Sequence, residues 1–262
     1  MMSTPGPVRV WESNLAVYRK IWRSNLLSGL LQPLLYLLGM GVGVGMLVDQ
    51  QPSSNDVLGG VDYLAFLAPA LIVTTVMMTL AQEAMWPVLD GFLWSNAFRS
   101  MYATPLDPGE ITAGVALWQA TRALMTGGGV AVTLVFFDDT RTWGLVSAVV
   151  FAVLTGLAVS LPITAWSASR NMEDTSFPAI LRFGIMPMFL FAGVFFPIDQ
   201  LPGWLQVAAR MTPLYHGVEL CRGAVLGTLT LPAALGHIAV LVVFAASGYV
   251  LSRHFFAKRL TS

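Results

Sequence analysis

The sequence predicts an all-α, polytopic membrane protein with six transmembrane helices, an N-terminal interfacial helix and a re-entrant helical hairpin before the last span. Three observations carry this. Of the 262 residues, 56% are hydrophobic and only 11% charged, against about 25% charged in a soluble domain. Six apolar runs, at about 25–48, 63–86, 111–137, 143–166, 176–197 and 231–252, each approach or exceed the roughly 20 residues a spanning helix needs. The stretch 195–227 is too apolar for a loop and too interrupted for a single span.

Residues 1–24 form a cytoplasmic arm. Val8, Trp11, Leu15, Tyr18, Ile21 and Trp22 recur at helical spacing, with Arg9, Glu12, Arg19, Lys20 and Arg23 between them. The pattern suits a helix in the interface with its aromatics at headgroup depth; a partly ordered tail is the plain alternative. Residues 25–262 form the transmembrane domain. An even number of spans puts both termini on one side. Most Lys and Arg fall there, with Arg141, Arg210 and Arg222 opposite, so both termini are cytoplasmic.

Span one carries Gly39, Gly41, Gly43 and Gly45, a spacing that lets another helix approach closely. It suits a dimer interface or tight packing within one chain. Glu83, Arg122 and Arg182 lie at inner ends of spans, where charge is costly. A Glu83–Arg122 pair across spans two and three is possible, either for packing or for transport.

The connection 87–110 is the longest cytoplasmic segment. Leu89, Phe92, Leu93, Phe98, Met101 and Tyr102 fall near helical spacing, with Asp90, Ser95, Asn96 and Arg99 among them. Thr104-Pro105 and Asp107-Pro108-Gly109 then break the pattern. A short amphipathic helix there can present aromatic anchors to a soluble partner, or lie on the lipid surface. The loop 49–62 reads as an acidic connector. The loop 167–175 offers Asn171, Glu173 and Asp174 as contacts or as caps for span five.

In the stretch 198–227, Pro202 and Pro213 sit at helix starts, Thr212 is a suitable N-cap, and Gly227 a suitable stop. Two helices follow, at about 201–211 and 214–226. At 1.5 Å per residue they measure roughly 16–20 Å, short of the ~30 Å hydrocarbon core. Such a pair can dip into a bilayer and return if protein or water satisfies its ends.

Several chemistries are missing. No G-x-x-x-x-G-K-[ST] and no H-E-x-x-H occurs. His216, His237 and His254 are too far apart to read as a metal motif, and the single Cys221 excludes a disulfide framework or cysteine-only cluster. A net charge of zero gives no basic field for nucleic acid. No span has a central Asp or Glu, which argues against an ion-gradient-driven transporter. His216 beside Tyr215 is a conceivable base for an intramembrane lipid-modifying enzyme, but no motif marks a nucleophile. The sequence marks no catalytic residue and no metal ligand.

Two motifs resemble a known family. They are Phe196, Pro197, Leu201, Pro202, Trp204, Leu205 and Gln206, then Pro213, Leu214, His216, Val218, Glu219 and Arg222. This outer pattern is similar to that of the membrane subunits of type-2 ABC exporters. The branch it resembles includes permeases for nodulation lipo-oligosaccharides, anthracycline-type drugs and cell-surface polysaccharides. The run Phe98-Arg99, then Ala103-Thr104-Pro105-Leu106, looks like that branch's cytoplasmic coupling segment, here 87–105. The likeness covers nearly the whole chain.

The resemblance implies a permease of a bacterial cell membrane that exports an amphipathic drug, glycolipid or polysaccharide. It implies a second permease copy or a sister permease, and two separate ABC ATPase subunits. ATP and Mg would act through those partners, with no cofactor on this chain. Asp90, Phe92, Phe98, Arg99, Met101 and Tyr102 are expected to couple to the ATPase. Phe195, Phe196 and Trp204 are expected as apolar plugs of an outer gate, with Glu219 and Arg222 as a pair that serves gating or local helix stability. Span one's glycines would close the dimer interface.

Overall fold

The computed structural model describes residues 5–50, 58, 60–137, 140–170 and 176–261. The acidic stretches 51–57 and 138–139, and the expected caps Asn171, Glu173 and Asp174, lie outside the described residues. Among the described residues the chain is all helix and turn, with no strand. Helix α1 runs Gly6–Tyr36 and continues through a wide π-type stretch, Leu37–Val44, into Gly45–Val48. Then come α2 (Tyr63–Leu93), α3 (Ala97–Tyr102), α4 (Pro108–Leu134) and α5 (Gly144–Ala168). Helix α6 comprises Ser176–Ala179, a π stretch Ile180–Ile185, and Met186–Phe191. Helices α7 (Gly203–Arg210), α8 (Pro213–Leu226) and α9 (Leu231–Thr261) close the chain.

Helices α2, α5 and α9 are each long and apolar enough to cross a membrane. The apolar stretches Pro33–Val48 and Ser176–Phe191 are shorter, roughly 24 Å at helical rise. The run expected as a span at 176–197 ends early. The chain bends at 192–196, where Gly193 takes a φ of 81°, so Phe195 and Phe196 lie beyond the helix.

No break separates the arm from span one. The expected interfacial helix is the first part of α1. Between Pro7 and Pro33 the sequence has no proline and one glycine, Gly29, so nothing stops a helix. This part of α1 docks along α4. Val10 is buried among Ile111 and Val115, and the Trp11 indole N–H donates to Thr121 Oγ1 at 2.9 Å. Tyr18 meets Trp118 edge-on at 5.6 Å. The start of α4 is set by a capping box. Asp107 Oδ2 accepts from the Gly109 N–H at 2.8 Å, and Glu110 Oε2 from the Asp107 N–H at 3.0 Å.

Buried polar groups pin α4 to α5. Ser160 donates to Gln119 Oε1 at 2.9 Å, and the Gln119 amide to Thr164 Oγ1 at 2.8 Å. In an apolar surround such a closed set holds two helices in one register.

The hairpin has the predicted punctuation. Thr212 Oγ1 accepts from the Tyr215 N–H, and Gly227 ends α8 at a φ of 71°. Helix α8 runs antiparallel to α5. Gly217 faces Thr155, the Cys221 thiol meets the Ala148 carbonyl at 3.3 Å, and Thr142 donates to the Val225 carbonyl at 3.2 Å. Thr155 lies about 16 Å along α5 from Gly144. The start of α8 is therefore deep beside α5, and its end is level with the beginning of α5. Helix α7 differs: Trp204 is 74% exposed, and Val207 and Met211 are exposed too.

Glycines set how closely α9 and α5 approach. A side chain at Gly248 would run into the Pro162 ring, whereas Gly236 on the same helix has open space. Gly248→Leu is expected to destabilise the fold by about 1–3 kcal/mol, and Gly236→Leu to leave it near its starting value. Unfolding of the two purified variants in one detergent checks the contrast.

Candidate functional site

Helices α1, α2, α4 and α6 enclose a cavity of about 1030 Å³. Helix α2 is otherwise the most buried of the long helices, but one of its faces opens here. Thr75, Met78, Thr79, Gln82, Glu83 and Trp86 recur three or four residues apart and line the space. Thr75, Thr79, Gln82 and Glu83 set polar groups among Met78 and Trp86 on this face. The aromatic and apolar groups Tyr18, Trp22, Tyr36, Phe189 and Met186 line it as well. At its wall Trp86 packs edge-on against the buried Phe177 at 5.1 Å. The cavity thus mixes hydrogen-bonding groups with aromatic rings. Large concave sites of this kind are default ligand sites.

Glu83 and Arg122 meet at the cavity wall. Arg122 Nε lies 2.8 Å from Glu83 Oε1, and the guanidinium sits 4.5 Å from the centre of the Tyr18 ring. Arg122 is nearly buried. A charge there needs both partners: the carboxylate for Coulomb energy and the ring for cation–π attraction. The pair joins α2 to α4, and through Tyr18 to α1. Arg182 is exposed on the π stretch of α6.

In the segment 87–105, two residues expected to meet a partner are placed differently. Phe92 is 2% exposed and Phe98 7%. With Phe256 of α9 they form a triad of rings, centroids 4.8 to 5.1 Å apart. A side chain at Gly91 would strike the Phe98 ring, so the glycine lets α3 fold back on α2. Asn96 makes the turn with a φ of 51°, a conformation asparagine tolerates. Arg259 lies over the Phe92 ring at 4.2 Å and donates to the Ala168 carbonyl at 3.2 Å. Burial, and then the nearby Arg99, push its guanidinium below the usual arginine value. Phe92 and Phe98 therefore fasten the segment to the bundle and are not free to dock a partner. The outward residues are Trp94, at 50% exposure, Arg99 and Tyr102, with Asp90 and Met101 half-buried.

At the other end Arg222 ties three elements. It donates to the Phe66 carbonyl at 3.2 Å and the Gly193 carbonyl at 2.8 Å, stacks 3.7 Å from the centre of the Phe66 ring, and pairs with Glu219 at 3.4 Å. Phe195 is half-buried against Phe189 and Tyr36, at 5.0 and 5.9 Å, and Phe196 is half-buried. Trp204 points away from the bundle, so it plugs nothing within this chain.

The glycine ladder of α1 divides. Gly41 and Gly45 are buried against Leu64 and Tyr63 of α2. Gly39 and Gly43 are exposed on the opposite side, Gly39 with open space around it. Two of the four are thus explained by packing within the chain.

A profile of the family described as ABC-2 type transporter matches residues 9–226. The chain belongs to the ABC-2 type transporter family. Nodulation protein J of Rhizobium leguminosarum bv. trifolii is 31% identical over 254 residues, 97% of this chain and 93% of that one. Nodulation protein J of Rhizobium meliloti (strain 1021) is 30% identical over the same shares. The inner membrane transport permease YadH of Escherichia coli (strain K12) is 23% identical over 92% of this chain and 91% of its own length. The protein is a multi-pass ABC-2 transport permease.

In this ABC-2 permease the sequence reading passed over Thr75, Thr79 and Gln82. Their signal was present: polar residues at helical spacing in an apolar run. It also missed that His216 and His237 are neighbours, since 21 residues separate them. Their Nδ1 atoms lie 2.7 Å apart.

The Glu83–Arg122 pair is expected to show strong coupling. Arg122→Met or Glu83→Met alone leaves a charge stranded, whereas the double variant removes both. A thermodynamic cycle over the four chains should give a coupling of about 1–3 kcal/mol, measured by unfolding in detergent.

Proposed function

We propose that this ABC-2 permease exports an amphipathic substrate from the cytoplasm across a bacterial inner membrane, with both termini cytoplasmic. ATP and Mg act through two partner ATPase subunits, and this chain binds neither. The observation that carries the reading is the mixed cavity. Its threonine, glutamine and charged groups suit a polar head, and its rings suit an apolar tail. Glycolipids, polysaccharides and amphipathic drugs all meet that description in part; a glycolipid uses both kinds of group.

The ATPase docks at the end carrying α3 and the C-terminal part of α9. Arg99, Arg253, Lys258 and Arg259 gather in these segments, which favours the cytoplasmic side. Trp94, Arg99 and Tyr102 form the docking surface. Phe92, Phe98 and Phe256 pass the partner's motion into α2 and α9. A second permease copy packs on the open Gly39 and Gly43 side of α1, where Leu35 and Leu38 are also exposed. Small residues beside apolar ones suit a helix–helix contact in lipid.

Two experiments test the coupling. Reconstituted with its ATPase, the Tyr102→Asp, Arg99→Glu double variant is expected to keep its fold and lose substrate-stimulated hydrolysis. Unchanged stimulation would falsify the docking surface. By contrast Phe98→Ala is expected to weaken the fold itself by about 3–5 kcal/mol, seen as lower unfolding temperature before any partner is added. Transport driven by an imposed ion gradient without ATP would overturn the wider reading.

A further inference from the structure

We propose that His216 and His237 form a binding site for one borderline-soft divalent cation, of the Zn²⁺ class, that clamps helix α8 to α9. The two rings come from different helices, and their Nδ1 atoms face each other at 2.7 Å. The other nitrogen of His216 fixes its tautomer. Nε2 lies 2.9 Å from the Arg210 carbonyl oxygen. A carbonyl only accepts, so Nε2 carries the proton and Nδ1 presents a lone pair. An imidazole whose far N–H donates to a backbone carbonyl is held in the orientation that metal-ligating histidines use.

In the resting pair His237 Nδ1–H fills that lone pair. Moving its proton to its own Nε2 leaves two lone pairs converging on one point. Zn²⁺ binds imidazole at about 2.0–2.1 Å. At a tetrahedral angle the two nitrogens then stand roughly 3.3–3.4 Å apart, so the rings need to part by less than an ångström. Both side chains are half-buried, which leaves that freedom and a route from water. Tyr215 packs edge-on to both rings, with centroids at 5.3 and 5.9 Å. Arg210, whose carbonyl holds His216, has its guanidinium paired with Asp199 at 3.6 Å. Among the described residues no third His, Cys, Asp or Glu joins the pair to make a metal group. Water completes the shell, and binding is correspondingly modest. A bridge from His216 to His237 resists displacement of α8 from α9.

The test uses the full-length purified chain without a polyhistidine tag, and ZnCl₂ alone as probe. Zn²⁺ is expected to raise the unfolding temperature by several degrees, with one ion bound per chain. His216→Gln and His237→Gln should each abolish the shift, and His254→Gln, on the exposed C-terminal end of α9, should not. A second measurement needs no variant. Acylation of the unaltered protein by diethyl pyrocarbonate, mapped by mass spectrometry, should be blocked by Zn²⁺ at His216 and His237 and not at His254. A shift that survives both glutamine variants, the absence of any shift, or equal acylation with and without Zn²⁺ would each overturn the assignment.

Discussion

The close approach of α8 to α5 is the contact on which the rest of this molecule depends. A helix of fourteen residues cannot span a bilayer, and its ends leave backbone groups that lipid cannot satisfy. Here the protein covers them. Gly217 lies on Thr155, and Gly144 lies against the Ala224 carbonyl. Both glycines are required because a side chain would meet atoms of the other helix. Arg222 then reaches from α8 to the carbonyls of Phe66 and Gly193. The half-length helix is held by small residues along its side and one long cation near its C-terminal end.

That anchoring fixes one boundary of the cavity, because the bend after α6 hangs from the same arginine. Phe195 packs on Phe189 and Tyr36, and the last two line the cavity. Helix α8, the bend and the cavity wall thus form one connected set of contacts. The Glu83–Arg122 pair plays a similar part, linking α2 and α4 beside the arm of α1.

Much of this was readable from residues alone, and the reasons are local. Pro202, Pro213, Thr212 and Gly227 set the hairpin boundaries through dihedrals and missing donors, which act within a few residues. Apolar run lengths marked the long helices for the same reason. Glu83 and Arg122 stood out because charge in an apolar run demands a partner. What was not readable depends on neighbours distant in the chain. Phe92 and Phe98 have the spacing of docking anchors, but spacing does not say whether the facing surface belongs to a partner or to Phe256. Gly39, Gly41, Gly43 and Gly45 look alike in sequence, yet alternate between α2 and the exposed side. His216 and His237 meet only because α8 turns back along α5 before α9 begins.

The ring triad has a consequence for handling the protein. Phe256 stands six residues from the carboxyl end and closes the contact between α2 and α3. The final turns of α9 are therefore part of the packed bundle. A reporter or affinity handle fused there without a spacer would load the contact that joins α2, α3 and α9.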